Sequence, residues 1–126
     1  MNKFIAFAFL TAVSLAPASA AAPAATNVDL ANFSFAPNAI QLQAGVPTVL
    51  HLRNVANGGH SFTAPEFFAH ARIAPQSAAL VQNGKVEVPA KSSVDIALTP
   101  GAGQYPLKCS HPFHASFGMK GTIVVR

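Results

Sequence analysis

The chain has 126 residues, room for one domain, and its eight Lys/Arg against four Asp/Glu give a formal charge of +4. The positive residues that follow the first twenty stand singly, at Arg53, Arg72, Lys85, Lys91, Lys108, Lys120 and Arg126. With no basic run interleaved with aromatics, nucleic-acid binding is excluded as a reading, and only a mild preference for acidic partners remains.

Residues 1–20 read as a secretory signal peptide. Lys3 supplies the positive start, "FIAFAFLTAVSL" the apolar stretch, and Ala18-Ser19-Ala20 an A-x-A cleavage site. The apolar stretch is too short for a comfortable membrane span, and no later segment is apolar enough to be one. Cleavage after about Ala20 implies export, and the periplasm is the expected compartment. Residues 21–26 are then a flexible lead-in, and 27–126 form the domain. Removal of Lys3 leaves seven Lys/Arg against four Asp/Glu, a charge of +3.

Downstream, apolar and polar residues alternate in twos. Ile40, Leu42 and Ala44 oppose Gln41 and Gln43; Thr48, Leu50 and Leu52 oppose Val49, His51 and Arg53. Val86 and Val88, then Val94, Ile96 and Leu98, then Tyr105, Leu107 and Cys109 continue the pattern, and "GTIVV" closes the chain. Pro37, Gly45-Val46-Pro47, Asn57-Gly58-Gly59, Asn83-Gly84, Pro89 and Pro100-Gly101 punctuate these runs. Seven to eight short strands in about a hundred residues predict an all-β fold, a Greek-key β-sandwich. Residues 65–82 break the alternation. Pro75 forbids one continuous helix there, so an irregular, partly helical excursion is expected, packed on the sandwich by Phe67, Phe68 and Leu80.

The chemistry concentrates in "CSHPFHASFGM", residues 109–119. It holds the only cysteine, which has no partner in its own chain and stands in a compartment that oxidises free thiols. Alone, Cys109 would read equally well as a small buried hydrophobe. Beside it stand His111, His114 and Met119. A thiolate, imidazole nitrogens and a thioether suit copper, and two His with one Cys and a long axial Met make a blue-copper arrangement. Structural zinc takes more cysteines and rarely a thioether. Cys109 ends a strand, His114 follows five residues on and Met119 five beyond that. His60, after a Gly-Gly turn at the head of "HSF", is the candidate fourth ligand. The plainer readings are a turn histidine for His60 and core filler for Met119.

Three segments together resemble the cupredoxins, the plastocyanin, azurin and pseudoazurin group of small blue-copper proteins. "FSFAPNAIQLQAGVPTVLHLRN" is similar to their first strands, "GGHSF" to the segment of their first histidine ligand, and "GQYPLKCSHPFHASFGMKGTIVV" to their Cys–His–Met loop and last strand. The resemblance implies one copper ion cycling between Cu(I) and Cu(II), with His60, Cys109 and His114 equatorial and Met119 axial. The His114-to-Met119 step matches the family's usual step, which favours His114 over His111. His111 is left as a neighbour of the site or part of a second one. Gly59 takes the place of a weakly approaching carbonyl in azurins, and stays outside the expected set. His51 and His70 are expected to be structural or solvated. Two positions depart from the family pattern: Lys108 replaces a common aromatic before the cysteine, and Ser61 replaces a common Asn after the first histidine.

The implied function is single-electron transfer, with His114 as the exit. The apolar loop residues Pro112, Phe113, Ala115 and Phe117 would dock redox partner proteins transiently, one of the two phenylalanines being expected in the core. The molecule is expected to be a monomer. The second reading is a copper-binding protein for periplasmic trafficking or buffering. An enzyme is not expected: a Cys109–His nucleophile pair would leave Met119 unexplained and has no acidic residue placed to orient it.

Overall fold

The computed structural model describes residues 8, 10–13, 23–112 and 114–126. The leader expected over 1–20 lies largely outside them, as does Phe113. Ten strands and two short helices follow in order: β1 (Ala24–Ala31), β2 (Ser34–Ala36), β3 (Ala39–Leu42), β4 (Thr48–Asn54), β5 (His60–Thr63), α1 (Pro65–Ala69), β6 (Arg72–Ile73), α2 (Pro75–Ala78), β7 (Lys85–Val88), β8 (Ser93–Thr99), β9 (Gly103–Lys108) and β10 (Lys120–Val125). They form two five-stranded sheets, ordered β2-β1-β4-β8-β6 and β3-β10-β9-β5-β7. Both sheets are mixed, because β1 runs parallel to β4 and β10 parallel to β3.

Period-two alternation decides which side of each strand enters the core. Leu50 and Leu52 of β4 are fully buried, Ile96 and Val94 of β8 stand opposite them in the same sheet, and Arg53 is exposed. The second sheet answers with Ile40, Phe62, Val86, Val88, Leu107 and Ile123, closing the sandwich over one continuous apolar layer. The strand count exceeds the expected seven to eight because β2 and β6 are only three and two residues long. The chain also enters the fold earlier than expected. Ala24–Thr26, placed by sequence in a flexible lead-in, pair with Thr48–Leu50.

The excursion over 65–82 is two short helices around β6. Pro65 and Pro75 each sit in a helix's first turn, where a missing N–H is no loss. Phe67 and Phe68 are buried against Tyr105 and Phe62 respectively. Leu80, however, is 46% exposed and does not take part in that packing. Ser77 anchors α2 instead, its hydroxyl oxygen accepting the Ala97 N–H at 2.9 Å.

Strand β5 departs from alternation, since all four of its residues are buried. Phe62 enters the core. On the opposite side the Ser61 and Thr63 hydroxyls bond each other at 2.9 Å, which meets the cost of removing them from water. β5 lies between β7 and β9, with Thr63 opposite Lys108. Because β5 and β9 run antiparallel, the chain just past β9 continues alongside the rest of β5, and this brings Cys109 to His60.

Candidate metal centre

His60 and Cys109 are 2% and 1% exposed and come from the head of β5 and the chain just past β9. His114 comes from the loop that follows β9. Its position is fixed by successive tight turns: the His114 N–H donates to the His111 carbonyl, and the Phe117 and Met119 N–H groups both donate back to the His114 carbonyl. Gly118, at φ 102°, takes a left-handed conformation that favours glycine. The Cys109 N–H then donates to the Met119 carbonyl at 3.1 Å, closing the loop at its base. Met119 is fully buried in the core layer.

Three potential ligand atoms converge. His60 Nδ1 lies 3.1 Å from His114 Nδ1, Cys109 Sγ lies 3.3 Å from His114 Nδ1, and 3.9 Å separate Sγ from His60 Nδ1. Among the described residues, His60, Cys109 and His114 form the one cluster of His, Cys or acidic side chains able to hold an ion. Two imidazole nitrogens and a sulfur that face one another need a proton or a cation between them. An ion bound in a trigonal plane with bonds of about 2.0–2.3 Å requires donors roughly 3.5–4 Å apart, close to the spacings present.

The surroundings prepare these donors. Burial holds the His60 imidazole below the usual histidine range, and the neighbouring His114 and His111 push it further down. A neutral His60 with its Nδ1 lone pair on the cluster carries its proton on Nε2, which is buried without a hydrogen-bond partner among the described residues. The Ser61 N–H donates to Cys109 Sγ at 3.4 Å. Ser61 Oγ accepts the Ser110 N–H at 2.8 Å and meets Ser110 Oγ at 2.9 Å, so it ties the His60 segment to the cysteine loop. The shorter serine thus spans the gap at the position where asparagine is common in the family.

His111 stands outside the cluster. Its Nε2 is 2.8 Å from Glu87 Oε2, and its ring lies against His114 with centroids 5.4 Å apart and planes 24° from parallel. Desolvation raises the Glu87 carboxyl, but the hydrogen bond and charge of His111, with Lys85, outweigh it and hold the group below the usual carboxylate range. His51 pairs with Asp95 at 2.6 Å on the exposed face of the first sheet, and His70 bonds the Glu66 carbonyl at 2.8 Å. Neither approaches the site. Phe117 is 68% exposed, so it is not a core residue.

Two neighbours escaped the sequence reading. Phe33, at φ 61° in the turn between β1 and β2, sets its ring edge-on to His114 at 5.5 Å and beside Phe117 at 5.4 Å. Asn32 hints at a turn, but nothing in the sequence aims the next ring at residue 114. Glu87 reads as the solvated side of β7, and no local signal pairs it with His111.

One thiolate, two imidazoles and a buried thioether next to them in the chain suit copper in both oxidation states better than zinc. A family model described as a cupredoxin-like domain matches residues 4–125. No curated protein matches the chain by sequence. Among solved structures, auracyanin B is similar at 21% identity and a TM-score of 0.60, covering 85% of this chain and 92% of that one. Auracyanin A from Chloroflexus aurantiacus, described as a "blue" copper protein, is similar at 18% identity and a TM-score of 0.58, over 83% and 100% of the two chains. The metal-binding domain of a Cu(I)-exporting P-type ATPase of Streptococcus pneumoniae, solved with Cu(I), gives 16% identity, a TM-score of 0.50 and coverage of 81% and 84%. With a sandwich of the same architecture, a copper-suited donor set and a family match across almost its whole length, the chain belongs to the cupredoxin-like family.

Proposed function

We propose that this protein is a periplasmic type 1 copper protein that carries single electrons between redox partners, and that His60, Cys109, His114 and Met119 would hold the ion. The observation that carries the reading is the convergence of the His60 Nδ1 at the head of β5, the Cys109 Sγ just past β9 and the His114 Nδ1 of the loop that follows. Copper bound there would supply a one-electron Cu(I)/Cu(II) couple.

The chain's own residues supply the rest. Burial holds the His60 imidazole below the usual histidine range, which favours the unprotonated ring that a metal needs. The Ser61 N–H donates to Cys109 Sγ and helps fix where the sulfur points. β5 and β9 belong to one hydrogen-bonded sheet and the loop to Met119 is closed by its own backbone bonds, so the backbone that carries the donors is tied together. His114 is the half-buried member of the set, bordered by the exposed rings of Phe33 and Phe117. An apolar rim around a half-exposed imidazole suits brief docking, for which small interfaces are normal. Among the described residues no helix is long and apolar enough to cross a membrane. Export is part of the proposal and rests on the leader-like residues 1–20.

The test is electrochemistry on the copper-loaded protein. Electron carriage predicts a reversible one-electron couple with the copper retained in both states. Copper held only as Cu(I), with no couple and ready transfer to a chelator, would replace this reading with trafficking or buffering.

A further inference from the structure

The pair formed by His111 and Glu87 has no part in the ligand set, yet it is built against it. Glu87 lies on β7 opposite Ser61 of β5, and His111 follows β9, so their 2.8 Å contact reaches over β5 on the side of the site. His111 then presents the face of its ring to His114, at 5.4 Å and 24°. Phe33 meets His114 edge-on at 83°. His114 needs such support, because it stands in a loop of turns rather than in a strand, and a rotation about its outer side-chain bond would swing Nδ1 away from Cys109 Sγ. An exposed carboxylate–imidazole pair contributes little to global stability by itself. Its geometric effect is larger, since the carboxylate fixes the plane of the ring that lies against His114.

We propose that His111, oriented by Glu87, is a positioning residue that together with Phe33 brackets the His114 ring and keeps Nδ1 on the copper side whether or not the ion is bound. The pair therefore governs how long copper stays in the site. This rests on His114, not His111, being the ligand. Outer partners that orient a ligand commonly change metal retention by roughly tenfold to a hundredfold.

The experiment uses the full folded chain as wild type, H111A, H114A, E87A, E87Q and the E87A/H111A double variant. Three quantities are read: the thiolate-to-copper absorption band at saturating Cu(II), the rate of copper transfer to excess chelator, and 13C relaxation of the His114 ring in copper-free protein. The band is expected in wild type and every Glu87 and His111 variant. H111A and E87A should release copper roughly tenfold faster or more, with a more mobile His114 ring. E87Q, which can still accept from His111, should behave as wild type. The double variant should be no faster than H111A, since the two residues act as one unit. Wild-type release and ring mobility in both H111A and E87A would overturn the proposal. Loss of the band in H111A with its survival in H114A would instead overturn the ligand set. If H111A does not fold, E87A against E87Q decides alone.

Discussion

At the residue scale the site depends on small polar groups that a ligand inventory omits. Ser61 is fully buried and serves Thr63 Oγ1, Ser110 Oγ and the Ser110 N–H at once. Ser61→Ala leaves several of these without a partner. A loss of about 1–3 kcal/mol is expected in denaturant unfolding of the copper-free protein, from the desolvated groups left behind. A loss near zero would mean that the loops are tied elsewhere. Far from the site, Arg53 bonds Asp29 through Nε at 3.0 Å and Nη2 at 2.7 Å, and this holds the Asp29 carboxyl below the usual carboxylate range. A depressed folded-state pKa gives stability that is fully present above the unfolded value, about 3.9, and is lost as pH falls through the folded value. Asp29→Asn should therefore lower the melting temperature slightly at pH 7, and the gap to wild type should close as the pH approaches 2. A gap that persists at pH 2 would assign the effect to something other than ionisation.

At the element scale the period-two strands were legible from sequence, because each has one face on the core and one toward solvent. β4 and β8 show this most clearly. What escaped has physical reasons. Ala24–Thr26 carry no alternation and are mostly exposed, so only their pairing with β4 makes them a strand. Leu80 looked like an anchor by hydropathy, but α2 is held by a serine and its following residues turn outward. Phe67→Ala should cost about 3–5 kcal/mol in chemical unfolding, since a fully buried ring packed on Tyr105 is removed. Leu80→Ser should stay within about 0.5 kcal/mol of wild type, as exposed positions do. Similar losses for the two variants would contradict the packing of the excursion.

At the scale of the whole molecule, the sandwich is a device for bringing distant residues together. His60 and His114 stand 54 positions apart, yet their nitrogens lie 3.1 Å from each other. That His60, Cys109 and His114 would meet was legible through the resemblance to the cupredoxins, whose motif these residues match, and their Nδ1 and Sγ atoms do converge. The choice between His111 and His114 was not readable from the residues alone. It depends on Glu87, 24 positions away, drawing His111 off to the side. Phe33 stayed outside the reading for a related reason, since a ring's place at a loop rim is set by tertiary packing rather than by local pattern.

The central claim is that one thiolate and two imidazoles hold a single copper ion. Titrating Cu(II) into the purified protein while recording visible absorption tests it most directly. The account predicts an intense thiolate-to-copper band that saturates at one ion per chain, bleaches on reduction, and is absent in Cys109→Ser and His60→Ala. A wild-type protein that takes up copper without such a band, or whose band survives Cys109→Ser, would contradict it.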